Sequence, residues 1–311
     1  VAVAGADGRV AVADLDAVPL VAPGGGGTAA PSAPAAEPWI VEHGTQPVLS
    51  VGVCPRYLAP GYDSHLLCTG GQDGRLLLHR RVRFGGQTLV HEGEGPIGTI
   101  SWRGALIAWT NDRGVKVFNP HSGQRVTFIP WAKEGGGPTA CINRLAWAGS
   151  DRLLVGCGPV VKVAFFVASG PPNGSLASSA ADSFPGGSAG LCAEVRHQFV
   201  CADVVCGLAS AGPNHLLVLT ARGAGVQACL CGLDGDIFHT VDVPGTRGIP
   251  VYQWRLCAVA PHLPMLLASA KDLLVLQVRD FLEHAVQLLE HGGYDDAIRI
   301  ADGGGDGIEG L

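Results

Sequence analysis

The sequence predicts an all-β fold, a ring of small repeated sheets, followed by the start of a helical array. Three observations predict it. A unit of about forty residues recurs along the chain, its strands read apolar on both faces, and after Val278 the apolar spacing changes from strand-like to helical. Sheets that shelter one another's faces in a ring produce such two-sided strands, and closure protects the strand edges. The fold class is a WD-repeat-like β-propeller with about six of seven blades present and the first blade missing, running into an α-solenoid.

The elements follow in order. "VAVAGADGRVAVADLD" at Val1 to Asp16 has the second and third strands of a unit without the first, so the chain opens in mid-blade. "PVLSVGVCP" at Pro47 to Pro55 precedes "HLLCTGGQDGRLLLHRR" at His65 to Arg81, with its turn at Gln72-Asp73-Gly74. The sharpest copy, Pro96 to Ile129, reads "PIGTISWRG", "ALIAWTNDRGVKVFN" and "GQRVTFI", turning at Asn111-Asp112-Arg113-Gly114. "CINRLAWAG" then leads to "RLLVGCGPVVKVAFFVA", "VVCGLASAG" to "HLLVLTARGAGVQACLCGLDGDIFHTV", and "WRLCAVAPH" to "PMLLASAKDLLVLQV". Trp102 and Trp147 hold matching places on successive first strands and read as packing residues.

Turn centres near Gly8, Gly74, Gly114, Gly158, Gly223 and Lys271 lie 66, 40, 44, 65 and 48 residues apart. The two long intervals hold low-complexity insertions at 22–38 and 169–190, poor in bulky apolar residues and expected to be mobile loops between blade strands. From Arg279 to Ala301, Phe281, Leu282, Ala285, Leu288 and Leu289 share one helical stripe; Gly292-Gly293 breaks it before Ala297, Ile298 and Ala301. Such a hairpin buries its apolar face only against a neighbouring pair. The expected domains are a propeller over 1–278, the first hairpin of an α-solenoid over 279–302, and a flexible tail over 303–311.

Composition narrows the function. The 311 residues are 47% hydrophobic and 15% charged, with a net charge of -6. The densest basic cluster, His79-Arg80-Arg81-Val82-Arg83, is too small for the phosphate contacts nucleic acid requires, so nucleic acid is not an expected partner. The apolar runs Val204–Ala221 and Leu256–Ala270 are interrupted by Pro213, His215, Pro261, His262 and Pro264, and no membrane span is read. Ten cysteines stand mostly as single apolar strand residues and read as buried cytosolic thiols. Cys229 and Cys231 share a strand face, but no second ligand pair at zinc-site spacing accompanies them, so no metal or cofactor is expected.

Catalytic motifs are missing too. No phosphate-binding glycine loop, nucleophile elbow or metalloprotease helix occurs, and His91 with Glu92, an acid/base pair in principle, reads as part of a turn. An interaction platform is the reading; a propeller enzyme is the alternative class.

At His91 to Asn119 the string "HEGEGPIGTISWRGALIAWTNDRGVKVFN" resembles the signature stretch of the vacuolar protein sorting-associated protein 41 family, a subunit of the HOPS tethering complex. The residues carrying it are His91, Glu92, Gly93, Glu94, Gly95, Trp102, Arg103, Gly104, Trp109 and Gly114. "RDFLEHAVQLLEHGGYDDA" at Arg279 to Ala297 looks like the same family's entry to its solenoid. The resemblance implies a non-enzymatic subunit, cytoplasmic and peripheral on late endosome and lysosome or vacuole membranes. Its implied partners are other HOPS subunits and a late-endosomal Rab GTPase, with SNAREs and adaptor complex three. The chain departs from the family at the two insertions, the missing first blade, and the absent remainder of the solenoid and RING-like zinc domain. A coat or scaffold subunit of another trafficking complex is the nearest alternative.

Overall fold

The computed structural model describes residues 2–12, 38–57, 65–81, 86–131, 143–168, 191–258, 265–269 and 271–276, with positions 290, 292–294 and 298 besides. Two compact units make up the chain, Val1–Tyr252 and Gln253–Leu311.

Five antiparallel sheets in sequence order form a five-bladed propeller in the first unit. The first blade has three strands, β1 (Ala2–Ala4), β2 (Arg9–Val12) and β3 (Trp39–Glu42). The second is β4 (Val48–Val53), β5 (Leu66–Gly71), β6 (Leu76–Arg80) and β7 (Gly86–His91). The third is β8 (Ile100–Arg103), β9 (Leu106–Thr110), β10 (Gly114–Asn119) and β11 (Gln124–Pro130). The fourth is β12 (Asn143–Ala148), β13 (Arg152–Cys157), β14 (Val160–Ala168) and β15 (Leu191–Val200). The fifth is β16 (Val205–Ser210), β17 (His215–Arg222), β18 (Gly225–Gly232) and β19 (Ile237–Val243).

Each sheet is a meander whose first strand touches that of the next blade, β4 against β8, β8 against β12, and β12 against β16. The turn Gly5 to Arg9 repeats the turn Gly71 to Arg75. In both, the leading glycine N–H donates to the arginine carbonyl, and the aspartate accepts from the arginine N–H at 3.1 Å. β1 and β2 therefore occupy the places of β5 and β6.

Alternation along each middle strand feeds two cores at once. Leu67 packs with Val10, Val12 and Val41 toward the first blade, whereas Leu66 and Cys68 pack with Ile97, Ile107 and Trp109 toward the third. Val115 and Leu153 meet in the next seam, and Leu154, Val205 and Leu216 in the one after. Each fully buried leucine contributes about 1.5–3 kcal/mol, so the seams carry most of the apolar stabilisation. Trp102 and Trp147 are half-buried at the margins of two of these cores, and the Trp147 indole donates across the seam to the Ser101 carbonyl at 3.2 Å.

The count of about six blades resolves into these five plus a three-stranded sheet in the second unit. That sheet is β20 (Arg255–Cys257), β21 (Met265–Ala268) and β22 (Leu273–Leu276), with Met265 and Leu267 buried. In the predicted hairpin, Glu290, Tyr294 and Ile298 have helical backbone and Gly292 sits in a turn at φ 79°. The rest of 279–302, the tail 303–311, and insertion residues 22–37 and 169–190 lie outside the described residues. Both insertions connect third to fourth strands of a blade, β2 to β3 and β14 to β15.

Candidate functional site: the signature loop and its neighbouring seam

The signature string crosses from the second blade to the third. His91 ends β7, and the backbone then turns left-handed through Gly93 (φ 85°), Glu94 (φ 62°) and Gly95 (φ 83°) before β8. Glycine adopts this region freely, while a residue with a Cβ is strained there by about 1–2 kcal/mol. Glu94 is held in place by partners from the third blade. Its Oε2 pairs with the Lys116 ammonium on β10 and accepts from Asn111 Nδ2 at 3.0 Å, while its carbonyl accepts from the Asp112 N–H at 3.0 Å.

Lys116 first, then Asn111, hold the Glu94 carboxyl below the usual carboxylate range against the opposing effect of desolvation. Lys116 keeps only 11% of its side chain exposed and Glu94 40%, so the pair sits at the lip of the seam.

Asn111 is the hub. Only 2% exposed, it accepts at Oδ1 from the N–H groups of Arg113 (2.9 Å) and Gly114 (3.1 Å), and its own carbonyl accepts from the Trp131 indole at 2.8 Å. Its Nδ2 also reaches His91 Nε2 at 3.3 Å, and that nitrogen lies 3.2 Å from the Gly93 carbonyl. The His91 ring packs 5.7 Å from the buried Trp109 ring. Burial, with Lys116 adding to it, pushes His91 below its ordinary range and keeps it neutral. Glu92 is exposed and follows β7 outside the strand.

The signature residues are not all together. His91, Glu94, Gly95 and Trp109 converge with the Asn111–Gly114 turn, where Gly114 runs against the β11 backbone at Ile129 and Pro130. Trp102, Arg103 and Gly104 lie at the other end of β8, where the Trp102 indole donates to the Gly104 carbonyl at 3.1 Å and Arg103 is exposed.

A second network, not anticipated from the sequence, closes the preceding seam. His43 follows β3 of the first blade, and its Nδ1 lies 2.7 Å from Thr69 Oγ1 on β5. The same hydroxyl lies 2.7 Å from His79 Nε2 on β6, and His43 Nε2 lies 3.1 Å from Asp73 Oδ1. Arg75 Nε donates to the other Asp73 oxygen at 2.6 Å, and Arg75 Nη2 to the His43 carbonyl at 3.3 Å. Burial first, then His43, pushes His79 down to about 4. The signal was weak: single histidines in apolar runs such as "LLLHR", separated from their partners by the length of a strand or more.

Both networks have one plan, a polar loop after a blade's last strand tied to the next blade's second turn. Glu94, Asn111 and Lys116 in one network and His43, Thr69, Asp73, Arg75 and His79 in the other are each tied to a partner, so the arrangement rigidifies seams. Among the described residues no three His, Cys, Asp or Glu side chains gather as a metal site would. Five of the nine described cysteines are buried, and burial raises Cys201 and Cys206 to about 11 and Cys231 to about 12. Cys192 and Cys257 depart from the buried-thiol reading and are exposed, on the outer strand β15 and on β20. No helix among the described residues is long and apolar enough to cross a membrane.

Repeated antiparallel blades packed through apolar seams and tied together by polar loops define a β-propeller. Solved structures share the fold: a chain of the "Crystal Structure of Mitotic Checkpoint Complex" aligns at TM-score 0.57 and 13% identity over 90% of this chain and 71% of that one. "Structure of U3-55K" aligns at TM-score 0.54 and 11% identity, covering 89% of this chain and 73% of that chain.

Residues 43–227, more than half of the chain, match the Vps41 β-propeller family model, whose description reads "Vps42 beta-propeller". The chain belongs to that family. Among curated relatives it is 38% identical over 120 residues to a vacuolar protein sorting-associated protein 41 homolog of Arabidopsis thaliana, covering 38% of this chain and 12% of the relative. To the Solanum lycopersicum homolog it is 24% identical over 303 residues, 83% of this chain and 30% of the relative. The Homo sapiens homolog is 35% identical over 119 residues, 38% of this chain and 14% of the relative. The chain thus matches at most about a third of the length of these relatives.

Proposed function

We propose that this chain is the propeller portion of a vacuolar protein sorting factor and acts as a non-enzymatic subunit of the HOPS membrane-tethering complex. The observation that carries the reading is the family match over 43–227, with the signature residues His91, Glu94, Trp109 and Gly114 built into one interlocked seam. A rigid platform suits a docking role, since little ordering entropy is lost on binding. In this reading the protein is cytoplasmic, peripheral on late endosome and vacuole or lysosome membranes, and engages a late-endosomal Rab GTPase. SNAREs and adaptor complex three are met through the wider assembly.

The test is reconstitution. The full-length protein carrying this chain is mixed with purified HOPS subunits and with the Rab loaded with GTP or GDP. Co-elution with the subunits and GTP-dependent Rab capture are expected; failure of both overturns the assignment.

A further inference from the structure

We infer that the Thr69 hydroxyl makes the seam between the first and second blades an acid-sensitive latch, which stays closed with one added proton and opens when a second arrives. The geometry is a single hydroxyl between two imidazoles, His43 Nδ1 and His79 Nε2, each at 2.7 Å. A hydroxyl carries one hydrogen, so it donates to one ring and accepts from the other. Asp73 Oδ1, 3.1 Å from His43 Nε2, only accepts, which places a hydrogen on that nitrogen. With both rings neutral, His79 Nε2–H therefore donates to Thr69, and Thr69 donates to the bare Nδ1 of His43.

One added proton can be accommodated at His43 Nδ1, on the ring that faces the Asp73 carboxylate. The chain of bonds then reverses: His43 donates to Thr69, Thr69 donates to His79 Nε2, and the His79 hydrogen moves to Nδ1. The latch remains closed. A second proton makes both rings donors toward the same oxygen. The hydroxyl hydrogen then has no ring to accept it, and two cations face each other across one oxygen atom in a buried site.

The surrounding groups do not rescue that state. On the β5–β6 turn Asp73 is already shared with Arg75, whose guanidinium also reaches the His43 carbonyl. On β2 and β3, Arg9 and Glu42 pair with each other at the surface. β4 carries no titratable side chain, and β7 sets Gln87 opposite His79. The low position of His79, about 4, agrees with a second proton that is hard to add.

Opening would be local, because His43 is also the residue whose N–H donates to the Gly8 carbonyl at 2.8 Å and whose ring lies over Gly71, where no Cβ would fit. The test is hydrogen exchange on the whole chain between pH 7.5 and 4.0, corrected for intrinsic rates. Amides of 43–52 and 69–79 are expected to lose protection at least tenfold below about pH 5, while those around Leu154 and Val218 in another seam keep theirs. His79→Phe should abolish the step. Histidine ring nitrogen shifts in the unaltered protein give a second readout, with His79 expected as the neutral Nε2–H form at pH 7.5. Equal protection in both seams down to pH 4.0, a step that survives His79→Phe, or a charged His79 at pH 6 overturns the latch.

Discussion

Asn111 offers the sharpest test of the signature seam, because two substitutions there separate its acceptor role from its donor role. Asn111→Ala removes Oδ1, and the buried Gly114 N–H loses its acceptor, whereas the Arg113 N–H faces water. One unsatisfied buried donor and a small cavity together cost about 3 kcal/mol. For a unit of this size that lowers the melting temperature by roughly 6–12 °C.

Asn111→Asp keeps the acceptor but sets a carboxylate where Nδ2 stood, 3.0 Å from Glu94 Oε2. Two unit charges at that spacing repel by about 5.5 kcal/mol at an effective dielectric constant near 20. Lys116 and solvent at the half-exposed Glu94 reduce this to about 2 kcal/mol. Close carboxylates share a proton as pH falls, which raises the pair's folded-state pKa; the penalty is present above that pKa and relieved below it. Urea unfolding of both variants, each measured against unaltered protein at pH 7.5 and 5.0, reads this out. Asn111→Asp should recover at pH 5.0 and Asn111→Ala should not. If Asn111→Asp matches unaltered protein at pH 7.5, or the two variants show one pH dependence, the assigned network is wrong.

Other expectations follow from the same seams. Gly95→Ala combines φ 83° with a Cβ driven into the Asp112 carboxylate, so it should cost at least about 2 kcal/mol by chemical denaturation, whereas Gly104→Ala at φ 52° meets open space and should cost about 1 kcal/mol. The depressed His79 contributes stability that is fully present above its unfolded value near 6.5 and lost as pH falls toward 4. The loss is about 3 kcal/mol, visible as a falling urea midpoint between those values. Maleimide labelling of native protein at pH 7.5, read by mass spectrometry, should modify Cys192 and Cys257 within minutes and leave Cys68, Cys206 and Cys231 unmodified until denaturant is added, since burial raises the latter three thiols.

What the sequence by itself determined is what depends on neighbours a few residues away. Short apolar runs such as "LIAWT" and "HLLVLTAR" mark strands, and Asp-Gly and Asn-Asp-Arg-Gly mark their turns. Their forty-residue spacing marks blades, because strand period and turn conformation are local properties of the backbone. Apolar residues on both faces of β5, β9, β13 and β17 likewise announced that each sheet is covered twice. The signature string identified the family but not its geometry.

Only the tertiary structure decided which polar residues meet. His43 and Thr69 are 26 residues apart, His91 and Asn111 are 20 apart, and Glu94 finds Lys116 across a seam. No periodicity encodes these pairings, since they depend on the angle at which one blade packs on the next. The same packing leaves Trp102 at a seam margin, splits the signature between two ends of the third blade, and exposes Cys192 on an outer strand. Burial is a property of what covers a residue, and that cover comes from distant parts of the chain.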